Sequence, residues 1–149
     1  MIEIVRNKKA YFDYEIASSY EAGIELRWHE VKSIRAKQVN LKWSYISIIS
    51  GRPMVKSMHI SAYSVLAYKA AIDVTRERTL FLHKKDIETL LVKSKVSWYT
   101  LVPLRLYYKW NLIKMEVGLV RGRQKHQKKQ LLKERTMDRE AKMKINNYI

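Results

Sequence analysis

Apolar and polar residues alternate along much of the first 120 positions, most clearly in two runs on either side of position 110. Apolar side chains recur at every second position in residues 104–109 and again in residues 113–119. A period of two turns one side of each run toward a core and the other toward solvent, as in antiparallel strands. The two runs predict a hairpin that turns at Trp110-Asn111.

Further strands are predicted earlier in the chain. Residues 45–49 and 54–56 are rich in β-branched and apolar side chains, and Ser50-Gly51-Arg52-Pro53 between them has the composition of a turn. This arrangement predicts a second hairpin. Residues 14–26, interrupted by Gly23, and residues 78–82 are predicted to be strands as well.

Helical periodicity is confined to short segments. Ile87, Leu90 and Leu91 share one face of a helix over residues 86–94, and Val31 and Ile34 share one face over residues 30–35. Residues 62–73 fit either a helix or a loop. About six short antiparallel strands with one or two helices predict a mainly β fold, and an OB-like Greek-key β-barrel is the first choice because closure hides strand edges.

The last fifth of the chain has a different composition. Residues 121–149 contain ten basic and three acidic residues, a net charge of +7, and too few apolar side chains for a separate core. The predicted division is a barrel over residues 1–121 and a basic tail over residues 122–149. Good helix formers fill residues 124–145, but an isolated helix of this length is marginal in water. We expect a tail that is disordered when free and helical when a bound partner neutralises its charges, with a permanently docked helix as the alternative.

Charge narrows the class of partner. The 149 residues include 30 Lys and Arg against 14 Asp and Glu, which leaves a net charge of +16. Such an excess is typical of proteins that bind a polyanion, with nucleic acid as the first candidate and an anionic membrane as the second. No apolar run approaches the roughly 20 residues of a membrane span, and the N-terminus lacks the order of a signal peptide. With no cysteine in the chain, these features predict a cytoplasmic protein without a membrane partner.

Catalytic chemistry has no positive signal in the sequence. None of the four histidines has a second histidine or a carboxylate at a metal-ligand spacing, and four glycines are too few for a phosphate-binding loop. Glu21, Glu25 and Glu30 are candidates for an acid–base pair, although a solvated face is the simpler interpretation. We expect no enzyme activity, no metal and no cofactor.

Basic and aromatic residues are interleaved in two places, around Lys42-Trp43 and around Tyr107, Lys109 and Trp110. Cations neutralise phosphates, and flat side chains stack on unpaired bases, so this pattern favours nucleic-acid binding without choosing between RNA and DNA. Tyr108 falls on the apolar face of its run and is expected to pack in the barrel. For Tyr107 and Trp110, packing and base stacking both remain open.

Seven short strings, in order along the chain, give a more specific indication. They are Asn7-Lys8-Lys9-Ala10-Tyr11, Tyr20-Glu21-Ala22-Gly23-Ile24, Glu30-Val31-Lys32-Ser33-Ile34-Arg35, Val39-Asn40-Leu41-Lys42, His59-Ile60-Ser61, Leu82-His83-Lys84-Lys85-Asp86-Ile87 and Tyr99-Thr100-Leu101-Val102-Pro103-Leu104. This series resembles the SsrA-binding protein family, also called small protein B (SmpB), over about residues 7–139.

The resemblance implies trans-translation, the bacterial rescue of ribosomes stalled on truncated messages. Members of the family bind transfer-messenger RNA (tmRNA) at its tRNA-like half and bring it to the empty decoding site. It further implies an OB-like barrel, a tail that becomes helical in the message channel, tmRNA and the ribosome as partners, a monomeric protein, and no cofactor or chemistry.

The resemblance also implies individual site residues. The expected tmRNA-binding positions are Asn7, Lys8, Lys9, Glu21, Lys32, Arg35, His83 and Lys114. The expected decoding-site and message-channel positions in the tail are Gly122, Arg123, Lys125, His126, Lys128, Lys129, Lys133 and Arg135.

The chain departs from the family pattern at several positions. Trp28 and Lys37 stand where glycines are usual, Trp43 replaces an aspartate, Phe81 replaces a leucine, and Gln127-Lys128-Lys129 replaces Asp-Lys-Arg. Two rival interpretations remain at this point: a structural or assembly protein of the ribosome with a basic tail, and a barrel nuclease with clustered carboxylates that bind magnesium.

Overall fold

The computed structural model describes residues 1–96, 98–123 and 125–147, and it is mainly β, as predicted. The strands are β1 Ile2–Arg6, β2 Tyr14–Ile24, β3 Val39–Asn40, β4 Tyr45–Ile49, β5 Arg52–Lys56, β6 His59–Ile60, β7 Arg78–Phe81, β8 Tyr99–Lys109 and β9 Leu112–Gly122. The helices are α1 Lys8–Asp13, α2 Trp28–Arg35, α3 Lys84–Ser94 and α4 Lys125–Asn147.

Seven strands form one antiparallel sheet in the order β1-β8-β9-β2-β7-β5-β4, and β3 pairs with β6 beside it. Several neighbours in this order are distant in sequence, as in Greek-key connections. The last strand of the series, β4, also lies against β8, so the sheet curls back on itself. The expected barrel-like architecture is therefore confirmed.

Both predicted hairpins are present. Strands β8 and β9 pair from Tyr99↔Arg121 to Lys109↔Leu112, and Trp110 and Asn111 make the turn with φ of 52° and 63°. Two successive positive φ values are typical of the two-residue turn that matches strand twist. The β4–β5 turn uses only Ser50 and Gly51, because β5 already begins at Arg52 rather than at residue 54.

The helices extend beyond their predicted limits. Helix α2 begins at Trp28, two residues early, because the Glu30 carboxylate accepts a hydrogen bond from the Arg27 backbone N–H and closes the first turn. Helix α3 begins at Lys84 rather than at residue 86. The ambiguous residues 62–73 form a loop with a single 3-10 turn at Lys69–Ala71. Strand β1 and helix α1, for which no element was predicted, complete the N-terminus.

One glycine is required by packing in the smaller hydrophobic cluster, which Leu104 forms with Val102, Val120 and Ala10 of α1. Gly118 lies on β9 opposite the fully buried Leu104, and a Cβ at this position would lie 2.7 Å from Leu104 Cδ1. Real side chains do not approach so closely, so a larger residue here would require the Leu104 side chain to shift. Gly118 thus lets the second half of β9 lie close to the facing side chains of β8.

Glu30 and Arg78 form an ion pair inside the protein. Only 3% of Glu30 and 0% of Arg78 is exposed, and the Arg78 guanidinium donates to Glu30 Oε2 from Nε at 2.7 Å. Arg78 also donates to the Met58 carbonyl, while the Arg76 guanidinium and the Arg27 backbone N–H donate hydrogen bonds to Glu30 Oε1. The interpretation that Glu30 lies on a solvated face is therefore wrong, because its carboxylate is buried and fully occupied by structural partners.

The tail forms a continuous helix, α4, that begins shortly after β9 ends at Gly122. Lys128 Nζ lies 3.2 Å from Asp13 Oδ1, and Arg135 Cζ lies 5.5 Å from the centre of the Phe12 ring. Beyond these contacts with α1, most of the described tail side chains are exposed. The expectation that the tail loses its helix when free of RNA concerns populations in solution, and it stays a prediction.

Candidate nucleic-acid interface

Glu21 is the centre of a hydrogen-bonded cluster on the outer face of the sheet. Its carboxylate accepts a hydrogen bond from Tyr107 Oη at 2.6 Å and forms an ion pair with Lys109 Nζ at 3.2 Å. The Tyr107 hydrogen bond, followed by Lys109, holds the pKa of Glu21 below its usual value. Burial raises the pKa of Tyr107, and the adjacent carboxylate raises it further, so the phenol stays a proton donor. Glu21 is therefore an ionised, fixed acceptor at neutral pH.

The sequence left packing and base stacking open for Tyr107 and Trp110, and the structure gives the two residues different environments. Tyr107 is buried, and its hydroxyl is bonded to Glu21, so its ring is not available to stack on a base. Trp110 is 85% exposed at the hairpin turn, with Lys109 Nζ 5.0 Å from its ring centre. Tyr108 packs against the main core, as expected.

An open cavity of about 320 Å³ adjoins the Glu21 cluster. It brings together Glu21 from β2, Lys114 from β9 and His83 from the start of α3. Gly23 forms part of the floor, where Lys114 Nζ and Phe81 both approach the space that a Cβ would occupy, at 3.8 and 3.4 Å. Three of the predicted tmRNA-binding residues thus share one site, although they come from distant parts of the sequence.

Each wall of this cavity offers a different interaction. Lys114 is a cation suited to a phosphate, and the exposed ring of Phe81 is a flat surface suited to a base. The Glu21 carboxylate can accept hydrogen bonds from base amino groups, and the imidazole of His83 can donate or accept. Such a combination recognises a folded RNA surface better than a simple run of lysines does.

Lys32 and Arg35 lie on the exposed side of α2. Arg35 lines a separate cavity with Leu26, Asn111 and Leu112, close to the β8–β9 turn. Lys32 lines neither this cavity nor the one at Glu21. The structure therefore places the two α2 cations on a surface of their own.

Asn7 has a different role from the predicted RNA contact. Its side chain is 5% exposed, and its amide donates to the carbonyls of Pro103 at 2.9 Å and Leu41 at 3.3 Å. Its Oδ1 accepts from the Ala10 N–H and caps α1. Because both amide hydrogens and the oxygen already have partners, Asn7 positions α1, and it borders the cavity beside Lys9 rather than the Glu21 cavity.

Lys8 and Lys9 extend from α1, outside the Glu21 cavity. Lys8 is exposed, whereas Lys9 pairs with Asp13 at 2.8 Å and lies over the ring of Trp43. Lys9 and Trp43 line another cavity, of about 210 Å³. The opening motif of the chain therefore belongs to a second surface rather than to the Glu21 site.

The predicted tail residues lie along the end of β9 and the helix that follows. Arg123 donates to the Tyr11 carbonyl, Lys128 pairs with Asp13, and Arg135 lies over Phe12. Gly122, Lys129 and Lys133 are exposed. The side chains of Lys125 and His126 lie outside the described residues.

Lys109 and Phe81 belong to the site although neither was among the expected tmRNA-binding positions. Lys109 belongs to the basic and aromatic run before the hairpin turn, so its sequence context already offered a signal. Phe81 was noted only as a departure from the family pattern, and its place opposite Gly23, in the cavity with Glu21, becomes visible only when β7 pairs with β2.

The family model described as SmpB protein matches residues 4–147. The chain belongs to the SmpB family. Its relatives include the SsrA-binding protein of a Nitratiruptor species, 45% identical over 97% of both chains, and that of Helicobacter hepaticus, 43% identical over 97% of this chain and 94% of the relative.

A solved structure of the SmpB family extends the likeness to the fold. It is described as "tmRNA-SmpB: a journey to the center of the bacterial ribosome", and it is 37% identical with a TM-score of 0.69. The match covers 83% of this chain and 86% of the solved chain. The resemblance first indicated by the seven strings is thus confirmed at the levels of sequence and fold.

Two further observations concern the part of the chain that the structure describes. Within it, no three His, Asp or Glu side chains are grouped in a way that could hold a metal ion. None of the described helices is both long enough and apolar enough to cross a membrane.

Proposed function

We propose that this chain binds tmRNA at its tRNA-like domain and delivers it to stalled ribosomes for trans-translation. The observation that carries the proposal is the near full-length match to relatives named SsrA-binding proteins, which spans both barrel and tail. The convergence of Glu21, His83 and Lys114 at one cavity adds geometric support. The protein acts by holding RNA, as a monomer in the cytoplasm, without a cofactor or a chemical step.

The two parts of the chain divide this work. The barrel, residues 1–121, provides the Glu21 cavity for tmRNA, while the tail, residues 122–149, enters the decoding site and message channel of the small ribosomal subunit. Lys114 and Lys109 neutralise phosphates around the cavity, and the α2 cations Lys32 and Arg35 do so on their separate surface. The exposed basic residues of α4 would neutralise phosphates of ribosomal RNA, and the helix would set the spacing between these side chains.

We expect submicromolar binding to the isolated tRNA-like domain of tmRNA, with a steep loss of affinity as salt rises. The physical reason is the net charge of +16, because each neutralised phosphate releases counterions. Gel-shift titrations at two salt concentrations measure both quantities, with an RNA hairpin of equal length as the control. Equal affinity for that hairpin would contradict specific recognition, and recovery of ribosomal RNA alone from cells would favour a structural ribosomal protein.

Replacing Glu21 with alanine should weaken this binding by about tenfold, although it removes a negative charge from an RNA-binding surface. The carboxylate holds both Tyr107 and Lys109 and offers an acceptor to the RNA, and hydrogen bonds to charged groups are about twice as strong as neutral ones. Electrostatic repulsion alone predicts tighter binding instead. The measurement is the dissociation constant of the folded variant for the tRNA-like domain.

Glu25→Ala is the matched control for this substitution. Glu25 is also exposed, and its replacement removes the same charge, but it does not line the Glu21 cavity. We expect unchanged or slightly tighter binding from this variant. If Glu21→Ala and Glu25→Ala behave alike, the Glu21 cavity is not the tmRNA site.

A further inference from the structure

Trp43 occupies a position that does not favour tryptophan. It lies between β3 and β4 with φ of 68°, in the left-handed region that glycine, asparagine and aspartate tolerate best. The side chain is 71% exposed, so its burial contributes little to the folded state. A bulky residue held in a strained conformation without burial points to a function other than folding.

The surroundings of Trp43 are basic. Lys9 Nζ lies 4.4 Å and Lys42 Nζ lies 5.7 Å from the centre of its ring. The ring stands beside the 210 Å³ cavity, whose other walls include Tyr45, Thr100 and Val102. An aromatic plane with two ammonium groups close to it offers one surface for a base and two cations for the phosphates on either side of that base. Asp13 also lines the cavity, so Lys9 must exchange its 2.8 Å ion pair with Asp13 for a phosphate.

We propose that Trp43, with Lys9 and Lys42, is a second RNA contact that stacks one unpaired base on the indole. None of its three residues lines the Glu21 cavity, which is built from other strands. The contact requires only a single-stranded nucleotide, so it does not depend on tmRNA recognition at Glu21. An acidic peptide would use the two lysines but has no need of the exposed ring.

Trp110 shares some of these features but is not part of the proposed contact. It too is exposed at a left-handed turn beside a lysine, but it lines neither the Glu21 cavity nor the cavity beside Trp43. Trp98 is exposed as well, and among the described residues no cation lies over its ring. Trp98 therefore provides a control of the same residue type.

The first test isolates the fluorescence of Trp43 in the full-length protein. A variant with Trp28, Trp98 and Trp110 each changed to phenylalanine retains Trp43 as its single tryptophan. Titration with an unstructured eight-nucleotide RNA should quench its emission. An abasic oligonucleotide of the same length and charge should leave the emission nearly unchanged, because stacking needs a base. Equal quenching by both oligonucleotides, or by an acidic peptide of the same charge, would overturn the proposal.

The second test compares variants of the full chain by anisotropy of the same labelled RNA. Trp43→Ala should weaken binding about fivefold, Trp43→Phe should restore most of the loss, and Trp98→Ala should match the parent protein. Thermal unfolding should show no loss of stability in Trp43→Asp, because aspartate tolerates the left-handed backbone better. The proposal is wrong if Trp43→Ala binds like the parent or if Trp98→Ala causes the same loss. Glu21→Ala should bind this oligonucleotide normally, which separates a failure here from a failure of the proposed function.

Discussion

Replacing Arg78 with methionine should lower the free energy of unfolding by about 3–5 kcal/mol, the usual cost of removing one partner from a buried ion pair. The change would leave the Glu30 carboxylate, 3% exposed, with Arg76 as its sole cationic partner. It would also remove the hydrogen bonds that the Arg78 guanidinium donates to the Met58 and Val74 carbonyls. Urea denaturation followed by circular dichroism measures the effect.

Arg121→Met is the matched control. Arg121 pairs with Glu15 on the surface, where both side chains are more than two-fifths exposed, and such pairs contribute at most about 1 kcal/mol. The same chemical change should therefore have a small effect. Losses of equal size in the two variants would show that the buried pair does not hold α2 to β7.

The same pair predicts a pH dependence. Burial raises the pKa of Glu30, but hydrogen bonds from Arg76 and Arg27, together with the charge of Arg78, outweigh burial and hold that pKa below its usual value. The pKa of Glu30 is therefore lower in the folded state than in the unfolded state. Its ionised carboxylate contributes fully to the free energy of unfolding above the unfolded-state pKa of about 4.3, and this contribution is lost as the pH falls through the folded-state pKa. Arg78→Met should flatten this part of the stability profile, whereas Arg121→Met should not.

Truncation after Gly122 should abolish tagging on stalled ribosomes and leave tmRNA binding nearly intact. The Glu21 cavity lies wholly in the barrel, and residues 1–120 still carry a net charge of +9. The tail, in contrast, is the part proposed to occupy the empty message channel. A reconstituted assay for tagging, run beside gel shifts with the tRNA-like domain, measures both activities on one protein preparation.

The truncated protein also allows a direct test of the tail's own conformation. Subtracting its far-ultraviolet circular dichroism from that of the full chain gives the helix content of residues 123–149 without RNA. We expect little helix, because the contacts with Asp13 and Phe12 are only half-buried and the basic charges repel each other. Loss of RNA binding on truncation, or tagging that survives it, would contradict the division of work between barrel and tail.

The sequence by itself determined the features that depend on neighbouring residues. Strict alternation over residues 104–109 and 113–119, with a turn between them, predicted the β8–β9 hairpin and the packing of Tyr108. The change in composition near Gly122 marked the end of the last strand. Seven ordered strings were enough to indicate the family. Periodicity, composition and motif spacing are all local properties, and the chain displays them before it folds.

The tertiary structure alone decided what each polar residue does. Glu30 meets Arg78 across 48 positions, and Tyr107 meets Glu21 across 86. Asn7 is bonded to Pro103 rather than to a ligand. Whether a carboxylate or an amide faces RNA or a buried partner depends on which strands the sheet brings together and on how much water remains there. Strand pairing between distant segments leaves no local pattern, so this information appears only in the folded molecule.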